Sequence, residues 1–158
     1  MTDTRWLDAD ELRAWLRLAG VMLKLAPALD SQLQRDSDMT HFDYLCLAML
    51  SEADEKTLRM SELAGQVNAS LSRLSHVVKK LEQRGWVERF PCPDSRRVTM
   101  VRLTEAGWEV LVAAAPGHVE TVRSLVFDGL DREDVAALER VAGHIVERIE
   151  KAGFRTVT

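Results

Sequence analysis

Cysteine, proline and tyrosine are scarce in this chain: its 158 residues hold two cysteines, four prolines and one tyrosine, and aromatic residues make up only 6%. Cys46 and Cys92 lie far apart in different contexts, which excludes a disulfide framework and a cysteine metal cluster. The four histidines have no His-x-x-x-His spacing, so no metal site is expected. No run of about 18 apolar residues is present to span a membrane. No basic, apolar, small-residue leader opens the chain, so a soluble, cytoplasmic protein with no membrane partner is expected. A Gly-rich phosphate loop and a Gly-x-Ser-x-Gly elbow are missing too, and neither cysteine has a histidine partner nearby. Catalytic residues and cofactors are therefore not expected.

What the chain has is helical periodicity, and its length suits one domain. Asp8, with Glu11 three residues on, opens a helix with apolar positions Leu12, Trp15, Leu16, Ala19, Met22, Leu23, Ala26, Leu29 and Leu33. Pro27 predicts a bend or split in it, and Gln34 to Asp38 reads as a polar break. Thr40 caps a second helix with Phe42, Leu45, Cys46, Met49 and Leu50 on one stripe, where Cys46 reads as a buried small hydrophobe. Glu52 to Lys56 is a charged loop and Thr57 to Met60 a short strand; Ser61 then caps a brief helix with Leu63, Ala64 and Val67 inward. Beyond Thr104, a helix cap, apolar residues run from Val110 to Val126 with a kink expected at Pro116-Gly117. Asp131 caps a last helix, with Val135, Leu138, Ala142, Ile145, Val146 and Ile149 inward, that ends near Gly153. His118 and His144 stand alone on these two helices.

Between these helices lies the stretch with most chemical character. From Ser70, Leu74, Val77, Val78 and Leu81 form one stripe of a helix whose other side shows Ser72, Arg73, Ser75, His76, Lys79, Lys80 and Gln83. Gly85 ends it, and Trp86 to Phe90 and Val98 to Leu103 read as a hairpin. Cys92 sits in the turn between two prolines and reads as exposed; only Arg89 and Arg96 nearby would favour a redox role there. Leu71 to Arg102 holds eight basic residues against three acidic ones, on a chain of net charge −4. A basic patch on an acidic protein suggests a directed electrostatic footprint. Two short helices joined at Asn68-Ala69-Ser70, followed by a hairpin, predict a winged helix-turn-helix.

The Ser-Glu-Leu-Ala helix, the Leu-Glu-Gln-Arg-Gly-Trp-Val-Glu-Arg run, Asp94-Ser95-Arg96 and the closing Val-Arg-Leu-Thr-Glu-Ala-Gly together resemble the MarR family of bacterial transcriptional regulators over nearly the whole chain. The resemblance implies a mainly α fold with a small β-hairpin, α+β, in one domain over 1–158. Within it, 40–104 would be the winged helix-turn-helix DNA-binding lobe, and 8–35 with 105–152 the dimerisation helices.

The resemblance places Ser72, Arg73, Ser75 and His76 at base edges or adjoining phosphates, with Lys79 and Lys80 nearer the backbone and Ser70 also among the DNA-binding residues. Arg73 suits guanine, which a guanidinium grips with two parallel hydrogen bonds. In the wing, Asp94 would orient an arginine into the minor groove; a second arginine follows, so Arg96 and Arg97 both remain candidates. The flanking helices carry more apolar stripe than a small lobe can cover, which predicts a homodimer on a pseudo-palindromic duplex DNA operator. The expected function is a transcriptional repressor; a protein-interaction module using the same basic face is the alternative. The resemblance further implies release by a small aromatic or phenolic effector, for which Trp15, Arg17, His41 and Tyr44 are the candidate contacts.

Overall fold

The computed structural model describes residues 4–153, so both ends of the 1–158 span lie outside the described residues. Helix starts follow their caps. Asp8 accepts hydrogen bonds from the amides of Asp10 and Glu11 at 2.8 Å while Glu11 accepts from the Asp8 amide at 3.0 Å, and this reciprocal box opens α1 (Ala9–Ser37). The expected break at Pro27 does not split α1, which continues for 29 residues. Leu29 and Leu33, beyond the proline, are buried, so packing holds the last turns where propensity alone would end them. The polar segment after Leu33 is thus mostly helix, closed by Asp38 at φ 50°.

Thr40 and Asp43 form a second capping box, with bonds of 3.0 and 2.8 Å, at the start of α2 (His41–Glu52). A 3-10 turn (Asp54–Lys56) leads to β1 (Thr57–Arg59). Next comes α3 (Met60–Gln66), which begins one residue before the expected Ser61 cap; there the Arg59 amide donates to Glu62 at 3.0 Å. Then follow α4 (Leu71–Gln83), β2 (Val87–Cys92) and β3 (Ser95–Leu103). The three strands form an antiparallel sheet in the order β1-β3-β2, with Thr57 opposite Arg102 and Val87 opposite Leu103. The hairpin is longer than the sequence predicts and turns at Pro93-Asp94. Cys92 therefore belongs to a strand and is buried, contrary to the exposed position expected for it.

Thr104 joins wing to helix: its hydroxyl donates to the Gly85 carbonyl at 2.7 Å and accepts from the Gly107 amide at 3.0 Å, opening α5 (Glu105–Val122). The helix passes Pro116-Gly117 without interruption, and the irregularity comes later, as a π-helical turn at Arg123–Phe127. Gly117 lies against the side chain of Gln32 on α1, so this part of α5 is held by its neighbour. Residues 105–127 are, by length and composition, apolar enough to cross a membrane, yet Gly107, Leu111, Ala114 and His118 of this helix are buried in the fold. Asp131 caps α6 (Arg132–Lys151), as expected.

Leu33, Met39, Leu47, Leu50, Leu63, Leu74, Val78, Leu81 and Val101 are wholly buried in one core shared by the end of α1, α2, α3, α4, the sheet and the start of α5. The result is a mainly helical winged helix-turn-helix with two long helical arms. The arms do not bury their stripes within this chain: α6 has no buried residue, and Trp15, expected to pack, is 50% exposed.

Candidate nucleic-acid interface

Helix α4 is set by its cap and its inner stripe. The Ser70 hydroxyl accepts from the Arg73 amide at 3.2 Å, so this residue starts the helix, and Leu74, Val78 and Leu81 anchor it in the core. The turn before it uses Asn68 at φ 50° and buries Ala69. Facing outward are Ser72, Arg73, Ser75, His76, Lys79 and Gln83, all solvent-accessible, with Lys80 partly so.

The basic residues divide into two sets. On one flank of α4, Arg73 stacks over the Phe42 ring at 4.4 Å, Lys80 meets Asp43 at 2.5 Å, and Arg84 holds Asp38 through the carbonyl at 2.5 Å and the carboxylate at 2.8 Å. On the other flank Glu82 receives three bonds from Arg89, which hold the Glu82 carboxyl below the usual range. Arg102 pairs with Glu88 at 2.6 Å. Among the described residues, Lys79, Arg96 and Arg97 of this stretch have neither an ion pair nor a ring partner. The expectation that Lys80 serves the DNA backbone is thus met by a competing partner inside the protein, and the reason is Coulombic: Asp43 is wholly buried and needs a cation.

Arg96 and Arg97 occupy successive positions of β3, in the part of the hairpin where its pairing with β2 shifts register at Pro91/Cys92. Arg97 lines a cleft of about 340 Å³ between wing and α4, together with Ser61, Ser75 and Arg89. Asp94, at the tip, is exposed and makes no ion pair with either arginine among the described residues.

The four effector candidates separate. Arg17 lines an open apolar cleft of about 870 Å³ between α1, the π turn and α6; Trp15 lies on the same arm, outside that lining. His41 and Tyr44 lie far down the chain, where the His41 amide donates to Asp30 at 2.9 Å. At 1.5 Å rise per residue, Arg17 and Asp30 stand about 20 Å apart along α1. His118, which shows no partner in the sequence, completes the second group: its ring centroid is 4.3 Å from that of Tyr44 and 5.5 Å from that of His41. Burial lowers the pKa of His118, and His41 lowers it further; burial also lowers His41 against the opposing charge of Asp30. Tyr44 is pushed up by burial. The signal that could have found His118 is its place on the stripe Leu111, Ala114, His118, at helical spacing. Cys46, pushed up to about 12 by burial and Asp43, is an inert thiol.

Fold and surface together place the molecule among winged-helix transcriptional regulators. Residues 39–99 match the model of the MarR family. Over 94% of the chain the fold coincides with Sco3205, a MarR family regulator from Streptomyces coelicolor solved in complex with DNA, at 41% identity and a TM-score of 0.90, covering 93% of that protein. AbsC from the same organism superposes at 36% identity and a TM-score of 0.88, covering 94% of this chain and 99% of its own. The transcriptional repressor MprA of Escherichia coli is 25% identical over 68% of this chain, a match that spans 61% of the repressor's length. The chain belongs to the MarR family.

Proposed function

We propose that this protein is a cytoplasmic, homodimeric repressor that binds a pseudo-palindromic operator in duplex DNA. The observation that carries the reading is the sorting of charge: the ion-paired cations Lys80 and Arg84 lie on a flank of α4 and Arg89 and Arg102 on the sheet, while Lys79, Arg96 and Arg97, which make no ion pair among the described residues, lie on the outer face of the helix and on the wing. Ser72, Ser75, His76 and the exposed Arg73 then meet base edges in the major groove and Lys79 a phosphate. Arg97, which lines the cleft beside α4, suits the phosphates between the grooves, and Arg96, exposed outside that lining, the minor groove. The complex of Sco3205 with DNA supports the same use of this fold.

The lobe 40–104 would read DNA, and the helices 8–35 and 105–152 would dimerise. The exposed apolar residues of α1, the π turn and α6 support the second part, because two copies can cover them across a two-fold axis. Half-sites about 34–36 Å apart would follow. A small aromatic acid acting as effector would find ring partners in His41, Tyr44 and His118 at the junction of arms and lobe. Selection of bound sequences from a random duplex pool tests the whole reading: enrichment of an inverted repeat is expected. No enrichment would favour a protein partner for the basic face instead.

A further inference from the structure

The shortest ion pair of α4 reaches inward to a buried partner, while the Lys80 side chain itself remains 44% exposed. The Lys80 ammonium lies 2.5 Å from Oδ2 of Asp43, a side chain with no exposed surface on α2, 37 residues away in the chain. That same oxygen accepts the Thr40 amide at 2.8 Å in the cap of α2, while Oδ1 of Asp43 is buried without a hydrogen-bond partner. A buried carboxylate with one oxygen unsatisfied is costly to leave without its cation. Asp43 thus restricts where Lys80, and with it α4, can sit.

Arg73 and Lys80 are seven residues apart, on one line of the helix. Their partners Phe42 and Asp43 are adjacent on α2. Two turns of helix therefore carry two tethers to a single site, and sliding α4 along its axis or rolling it about that axis would break both. The ion pair is the more demanding tether, since it closes on a wholly buried charge.

We propose that Lys80 is a positioning residue, which sets the axial register and roll of the recognition helix through Asp43, rather than a ligand of DNA phosphate. The proposal rests on the DNA-binding reading above. Lys80 thereby governs how squarely Ser72, Ser75 and His76 present themselves to base edges, without touching them.

The test compares Lys80→Gln with Lys79→Gln in the intact protein, measuring affinity for a selected operator and for an unrelated duplex over a range of salt concentrations. Removing a cation that neutralises one phosphate reduces the salt slope by about one and weakens both duplexes alike. Lys79→Gln is expected to do this. Lys80→Gln is expected to lower the ratio of specific to unrelated affinity about tenfold or more, with the slope unchanged; the reverse pattern overturns the proposal. A variant that merely loses stability would leave the ratio intact at temperatures where it is folded, and that result also overturns it. Because Lys80→Gln strands the charge of Asp43, the double variant Asp43→Asn/Lys80→Gln is measured too, and hydrogen exchange of α4 amides is followed in the DNA-free protein. Faster exchange in the single variant, partly restored in the double, is expected; additive effects overturn the lock. Should the unaltered protein bind neither duplex preferentially, the functional reading fails, and the exchange data alone decide whether Asp43 and Lys80 hold the helix.

Discussion

In the winged lobe Leu47, Leu50, Leu63, Leu74, Val78 and Leu81 have no exposed surface, whereas along α1 Leu12, Trp15, Leu16, Val21, Met22 and Leu23 are 47–76% exposed and α6 buries nothing. Both regions follow the same amphipathic spacing with the same residue types. The difference is in who supplies the other side: the lobe folds its stripes against each other, and the described residues leave those of α1 and α6 largely uncovered. Exposed apolar area of this extent marks an interface. Stability in the lobe should then be a property of one chain, and stability in the arms a property of concentration.

The largest effect is expected at the seam between the two regions. A Cβ added at Gly107 would stand 2.1 Å from the Trp86 carbonyl oxygen, a backbone atom that cannot step aside, so Gly107→Ala should cost more than about 4 kcal/mol in thermal or denaturant unfolding. A near-neutral result would mean that α5 is not seated against the wing. Next, Leu47→Ala should cost about 2–5 kcal/mol at every protein concentration, because its cavity opens inside one chain. Leu138→Ala on α6 provides the contrast: in the proposed dimer it should cost about 1–3 kcal/mol, shrink on dilution, and raise the dissociation constant in light scattering. Equal effects at high and low concentration would erase the distinction between lobe and arms.

A smaller effect separates the junction from both. His41 and His118 have folded pKa values below 6.5, so the unfolded chain binds more protons as pH drops; their contribution is fully present above about pH 6.5 and is lost as pH falls through the lowered folded values. Unfolding midpoints should decline from pH 7 towards pH 5, and His118→Phe should flatten that decline. The smallest change is expected on the exposed outer face of α1, where Arg13→Ala removes only a pair with Asp10 and should stay within about 0.5 kcal/mol.

Much of this architecture is legible from local chemistry. Asp8, Thr40, Thr104 and Asp131 are caps legible in the sequence that start four of the six helices, and Gly85 takes the left-handed turn at φ 74°. Neither proline splits its helix, although each breaks one by propensity: neighbours hold the helices together at Leu29, Leu33 and Gly117. Cys92 misled for a related reason, because strand pairing drew the segment after Phe90 into the sheet.

The sequence by itself determined the helices, the hairpin and the concentration of positive charge between Leu71 and Arg102, because caps, periodicity and composition act over a few residues. Only the tertiary structure decided which of those charges remain available. Lys80 finds Asp43 across 37 residues and Arg84 finds Asp38 across 46, and His118 meets His41 and Tyr44 from another helix. An ion pair depends on distance in space and on the burial of its partner, and neither is written at any spacing along the chain.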